Sequence, residues 1–476
     1  MPRPTLSPGL RALLSPGVAV ILGLAAVSIV GVAQREKPAK SFQTFWTFSR
    51  NLYLAYEPLA AKWREEHPDR AVDIVVLDYA ALERRMLSGF LSGTPVADLI
   101  EVERGIVGRT FLGPLEDVGF VDLTDRLKAD GLMDKINAPA FTPWTSRGRI
   151  FGLPHDVHPV ALAYRADIIE AAGIDMSQIE TWDDFIRVLR PLMADKNGDG
   201  RPDRYLLNFW HNNPWLPDAL LLQAGGRVFD DHEKPCLTAI PNAAILSKLA
   251  LWMGGPNRIA IDAPEFSAAG NQLRIDGTVI CSIVPDWLAG VWKQDLPGLA
   301  GKMKLMPLPA WSPGGTHTTV IGGTMLGIPK STPDFEAAWT FAKALYLSPE
   351  LADELYLTSN IISPVTTHWD REVYRRPDPY FGGQKTGMLF LSLAPLVPAR
   401  NSSPFNTFAS ASIQNILLEL QQVANRDKVT DPTVLEPLAQ ELLAAQQIRL
   451  VEQIRRNVFL REPAAPTEAG TVAAHP

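Results

Sequence analysis

The sequence is short of the residues on which much site chemistry depends. It holds 2 cysteines in 476 residues, too few for a zinc ribbon or a disulfide scaffold. Basic residues do not dominate: 45 Lys and Arg stand against 52 Asp and Glu, a net charge of -7. That balance leaves no footprint for nucleic acid. There is no Gly-x-Ser-x-Gly elbow, no His-Glu-x-x-His and no Gly-x-Gly-x-x-Gly. Gly382-Gly383-Gln384-Lys385-Thr386 lacks the Gly-Lys pair of a phosphate loop. After residue 33 no uncharged run approaches the length of a membrane span.

What is present is an ordinary globular balance, 46% hydrophobic and 20% charged, enough for a large core and too apolar for a disordered chain. The length suggests about three domain-sized units. Prolines number 40 and tryptophans 12. So many tryptophans without a large cofactor motif suggest aromatic walls around a ligand.

The chain opens with an address. Arg3 and Arg11 precede an uncharged run over 17–33, and Gly31-Val32-Ala33 would suit signal peptidase. The run also reaches the lower limit, about 17 residues, for crossing a bilayer. Arg35, Lys37 and Lys40 follow at once. Export is the expectation, with cleavage of 1–33 and a retained membrane anchor both open. The tail 460–476, rich in Ala, Pro and Thr, is expected to be disordered.

Phe42 to Phe48 reads as a strand and Tyr53 to Glu66 as a helix that stops at His67-Pro68. Val72 to Leu77 is a strand, Tyr79 to Leu91 a helix and Ala97 to Val102 a third strand. This order predicts an α/β fold with doubly wound sheets, whose ligands sit beyond the carboxyl ends of the strands. Trp46, Asp98 and Glu101 are placed near those ends. Further strands are expected at Arg149 to Leu153, Val160 to Tyr164 and Thr278 to Val284. Thr181 caps a predicted helix from Trp182 to Ala194. Helices are also expected over Asp334 to Ser348 and Thr433 to Arg455.

Asp195, Asn197, Asp199 and Asp203 bring oxygens to positions 1, 3, 5 and 9 of a loop with Gly200 at position 6. Arg201 completes the candidate set. Position 12 is Leu206, not the bidentate Glu of an EF-hand. A structural calcium ion is the expectation, against a plain polar turn. No other cofactor is required.

Trp210, Trp215, Trp287 and Trp311 fall in loop-like contexts, where indole faces can stack on the C–H faces of sugar rings. Asn208, Asn212 and Asn213 beside them tilt that cluster towards a polar ligand. Trp63, Trp252 and Trp339 have helical core spacing. His155 and His158 flank Asp156. A metal site there weighs less than a proline-braced crossover with one ligand-facing carboxylate. Asp98, Glu101 and Glu103 could form a glycosidase carboxylate pair, but such spacing within one strand end is weak evidence. Cys236 and Cys281 could pair, although a buried thiol suits Cys281 better.

Taken together these segments resemble the solute-binding proteins of ABC sugar importers, the maltose-binding-protein-like group, over about residues 41–455. The markers are the opening strand with Trp46, Ala97-Asp98-Leu99-Ile100-Glu101, and the crossover Gly152-Leu153-Pro154-His155-Asp156. Further along come Asn208 to Trp215, Pro285-Asp286-Trp287, and Met306 to Pro309 followed by Gly322-Gly323. The resemblance implies two hinge-linked lobes, one over 41–155 and 306–358, the other over 159–303 and 364–455. It carries sugar-contacting aromatic positions to Trp210, Trp215 and Trp287, the crossover acid to Asp156, and a backbone-rich ligand loop to Gly322 and Gly323. It implies a monomeric binding protein, not an enzyme, that passes a carbohydrate to the membrane subunits of an importer. An exported carbohydrate-active enzyme using two of Asp98, Glu101 and Asp156, and a membrane-anchored ligand sensor, are the alternatives.

Overall fold

The computed structural model describes residues 42–457 apart from 196, 199, 210–212, 214 and 231. The N-terminal run, the tail, Trp210 and Asp199 therefore lie outside the described residues.

Among the described residues twelve strands are present in chain order: β1 Phe42–Thr47, β2 Ala71–Val76, β3 Leu99–Glu103, β4 Thr145–Ser146, β5 Arg149–Ile150, β6 Leu153–Pro154, β7 Val160–Arg165, β8 Tyr205–Asn208, β9 Ala260–Ile261, β10 Val279–Pro285, β11 Met303–Pro307 and β12 Thr324–Gly327. They build two five-stranded sheets, β2-β1-β3-β12-β6 and β11-β7-β10-β8-β9, and the small β4–β5 hairpin. In the first sheet β1 lies parallel to β2 and β3, with Phe45 opposite Ile74 and Leu99. The late strand β12 enters that sheet antiparallel to both β3 and β6. In the second sheet β10 runs parallel to β8 and antiparallel to β7. Helices cover both faces of each sheet, so each lobe holds two apolar layers. Phe45, Leu99 and Trp339 anchor one face of the first sheet, and Ile100, Val102 and Trp144 the other. Leu207, Trp182 and Trp252 lie on one face of the second sheet, and Val284, Trp292 and Phe381 on the other.

Local sequence explains the boundaries. Ser49 caps the Arg50–Glu66 helix through the Leu52 N–H, and the chain leaves it at His67 before Pro68. Thr181 and Asp184 form a reciprocal capping box. The helix they start ends at Leu189, short of the expected Ala194, and a 3-10 turn runs over Arg190–Met193. Pro191 has no N–H to continue the α-helical ladder. Similarly the C-terminal helix spans Glu436–Arg455, after a 3-10 turn over Pro432–Val434 capped by Asp431.

Three segments cross between the lobes. The first joins β6 to β7 over 155–159, and the second joins β11 to β12 over 308–323. The third passes through Ile361, which packs with the first sheet, and Ile362, which packs with the second.

Candidate functional site

The carboxyl ends of β8 and β10 and the second crossing converge on a recess of about 300 Å³ lined by Asn213, Trp215, Phe266, Trp287 and Ile321 among others. Its aromatic groups are unusually open for large apolar side chains: Trp215 is 42% and Phe266 56% exposed. Phe266 and Trp287 lie parallel, 6.3 Å between ring centroids and 6° between planes. The Trp287 indole N–H donates to the Ile321 carbonyl at 3.0 Å, which fixes the ring beside the second crossing. Asn213 Oδ1 caps the Trp215–Gln223 helix by accepting from Trp215 N at 2.9 Å. Its Nδ2 is buried with no partner among the described residues. Flat aromatic faces with amide donors beside them can hold a ring that is apolar above and below and polar around its edge.

Gly322 and Gly323 adopt φ of 97° and 127°, a region that favours glycine. A Cβ on Gly322 would lie 3.0 Å from both the His158 ring and Trp287 Nε1, so this backbone passes close to the aromatic wall. The Gly323 carbonyl accepts from Arg104 N at 3.0 Å and so ties this crossing to the end of β3.

Behind the wall runs a buried chain of charges. His158 Nε2 lies 3.0 Å from Asp156 Oδ2, and His158 Nδ1 lies 2.7 Å from Asp286 Oδ1. With a carboxylate on each ring nitrogen, both nitrogens donate and the ring is an imidazolium. Burial alone lowers the pKa of His158, but Asp156 and Asp286 outweigh it and push it up to about 10. The converse holds for Asp156: burial raises its pKa, yet the charge of His158 and the bonds from His155 and His158 hold it well below the carboxylate range. The chain grips all three crossings. Asp156 and His158 belong to the first, Asp156 Oδ1 accepts from Thr324 N at 3.2 Å at the end of the second, and Asp286 Oδ2 accepts from Ile362 N at 2.9 Å in the third.

Several expected ligand contacts are corrected by this geometry. Asp156 and Asp286 are buried and bound into the crossings; the ligand-facing carboxylate expected at Asp156 points inward instead. Asp98 sits at the amino end of β3, not the carboxyl end, and accepts from Thr44 N at 2.8 Å across to β1. Glu101 is fully buried and bonded by Thr47 Oγ1, by Tyr56 OH at 2.6 Å and by Tyr346 OH at 3.0 Å. Burial raises its pKa despite the neighbouring His155 and these donors. Trp311 does lie in a loop, within the second crossing, but it does not face a ligand. It stacks on Trp252 at 5.3 Å and 13° and donates to Leu220 O at 3.1 Å inside the second lobe. Trp46 is half-buried against the layer that holds Ile100 and Met86.

Asn213, Trp215 and Trp287 line one recess, Gly322 lies against Trp287, and Gly323 lies against Trp144 and Asp156. Phe266 was missed because one aromatic in a loop carries no periodic signal. His158 was read only as a flank of Asp156, since its second partner, Asp286, is 128 residues away.

In the loop after Met193, Asp195 accepts from Gly198 N at 2.7 Å and from Gly200 N at 2.8 Å, so its carboxylate closes the turn. Among the described residues no three His, Cys, Asp or Glu side chains gather as a metal site, and this includes the His155–His158 segment. Cys236 and Cys281 are both free thiols, and burial pushes the Cys281 thiol up. No helix of the described residues is long and apolar enough to cross a membrane.

Residues 49–350 match the model of the bacterial extracellular solute-binding protein family. The arabinooligosaccharide-binding protein of Halalkalibacterium halodurans is 25% identical over 343 residues, covering 71% of this chain and 74% of that one. A lactose-binding protein of Rhizobium radiobacter is 24% identical over 371 residues, covering 76% and 84%. Among solved structures, the sugar-binding protein MalE of Xanthomonas citri superposes with a TM-score of 0.69 at 16% identity, covering 87% of this chain and 98% of that one.

Proposed function

The chain belongs to the bacterial extracellular solute-binding proteins, and from that premise we propose that it captures a saccharide outside the cytoplasm and delivers it to an ABC importer. The carrying observation is the open aromatic recess of Trp215, Phe266 and Trp287 beside the crossings that join the lobes. Relatives whose names specify arabinooligosaccharides and lactose support a saccharide as the ligand class. The protein acts as a monomer that closes its lobes on the sugar, and an uncleaved 17–33 segment would hold it beside its permease.

A thermal-shift screen against saccharides tests this reading. A ligand at 100 times its Kd stabilises by about 2.7 kcal/mol, which moves the melting temperature by several degrees. A panel of mono- and oligosaccharides that moves it nowhere would count against carbohydrate capture.

The Asp195–Asp203 loop is further proposed as a calcium staple of the fold, on its oxygen spacing. Chelation should then lower the melting temperature and leave saccharide affinity at ambient temperature largely intact. An unmoved melting curve would reduce the loop to a turn closed by Asp195.

A further inference from the structure

A cleft of about 650 Å³ with its open mouth lies between the lobes and is lined by three arginines and one carboxylate: Arg104, Arg227, Arg400 and Asp218. Arg104 follows β3 of the first lobe, and Asp218 lies in the Trp215–Gln223 helix of the second. That helix begins at the aromatic recess, so the cleft and the recess share one wall.

Arg400 is the fixed part of this surface. It donates to Val320 O at 3.1 Å and to Asp218 Oδ2 at 2.9 Å, and its backbone N–H bonds Thr142 Oγ1 at 3.1 Å. It thus spans the second crossing and both lobes. Burial, with the nearby Arg104 guanidinium next, pulls its pKa down to about 10, so two like charges face one another here. Glu103 also lies close, but it accepts from Tyr79 OH and Gly105 N instead.

Two buried polar atoms in this cleft have no partner among the described residues. One is Arg104 Nε, a charged donor, and the other is Asp218 Oδ1, a charged acceptor. Asp218 Oδ2 already takes Arg400 and the Ser410 hydroxyl at 2.8 Å. A buried polar atom left without a partner is unfavourable, and more so when it is charged. The pair asks for a solute that brings an anionic oxygen to Arg104 and a hydroxyl to Asp218, two walls of the same cleft. Cationic lining in excess of carboxylate favours the anionic group.

We propose that the solute is an acidic saccharide, whose anionic group is held at Arg104 and Arg227 and whose hydroxyl is held at Asp218. This rests on the saccharide-capture reading and narrows its substrate class. Uronate carboxylates and sugar phosphates share the required chemistry.

Calorimetry on the full chain tests it with digalacturonate, glucose 6-phosphate, lactose and arabinotriose. The expected result is an acidic probe binding about tenfold or more tighter than either neutral one. Digalacturonate ahead of the phosphate identifies a carboxylate, and the reverse order a phosphate. Arg104→Gln should narrow the gap between acidic and neutral probes, and a matching melting curve shows that the variant is folded. Arg227→Gln, at the exposed mouth, gives a second variant should Arg104→Gln misfold. Neutral saccharides that bind as tightly as the acidic ones, or variants that leave the gap unchanged, overturn the inference and leave saccharide capture standing. No binding by any of the probes contradicts both.

Discussion

Replacing Trp287 with alanine is expected to weaken saccharide binding by about 2 kcal/mol or more, roughly 30-fold in Kd. The indole is held rather than free: its N–H is spent on Ile321 O, and its face lies parallel to Phe266. A pre-set aromatic plane loses little entropy when a ring stacks on it, so its removal costs nearly the whole contact. Trp311→Ala makes the matched control. That indole stacks on Trp252 within the second lobe, so its loss should lower stability by about 3 kcal/mol while the affinity of the folded protein changes little. Calorimetry on the two variants separates the roles. Unchanged affinity in Trp287→Ala, or a larger affinity loss in Trp311→Ala, would move the ligand away from this recess.

The second large effect belongs to the buried charge chain. His158→Leu should destabilise the protein by about 3–5 kcal/mol in denaturant unfolding, because it leaves the Asp156 and Asp286 carboxylates buried without their counter-ion. The pH dependence carries a definite sign. His158 titrates near 6.5 when unfolded and at about 10 when folded, so its contribution is fully present below about pH 6.5. It is lost as pH rises through 10. Asp156 works in the opposite direction: its pKa is lowered in the fold, so its share is lost as the medium becomes strongly acidic. The stability gap between the native protein and His158→Leu should therefore shrink as pH rises from 7 to above 10. A gap that stays constant over that range would mean that the ring is neutral and the chain carries no charge.

The lobes' construction was largely readable in the sequence, because it rests on local signals. The alternating aromatics of β1, the cap at Thr181 and the stop at His67-Pro68 each act within a few residues. The 21-residue helix Asn406–Arg426 was not foreseen, and neither was the antiparallel entry of β12 beside β3. The second is set by a pairing across more than 200 residues, which no local pattern records. The site divides in the same way. Trp215 and Trp287 follow strands and announce themselves, whereas acidic residues near strand ends look alike in sequence. Only burial separates Glu101, caged by two tyrosines and Thr47, from a carboxylate open to a ligand. Asp286 showed as an isolated acid, and its bond to His158, read only as a flank of Asp156, became visible only when the chain closed on itself.

In the proposed function a saccharide is enclosed between two lobes that turn about these three crossings. Each crossing is short or pinned by the Asp156–His158–Asp286 chain, so rotation is confined to a few dihedrals while each lobe stays rigid. Small-angle X-ray scattering with and without a saturating saccharide measures this directly. Lobe closure gives a smaller radius of gyration with ligand, whereas the same radius in both states at proven saturation would rule closure out.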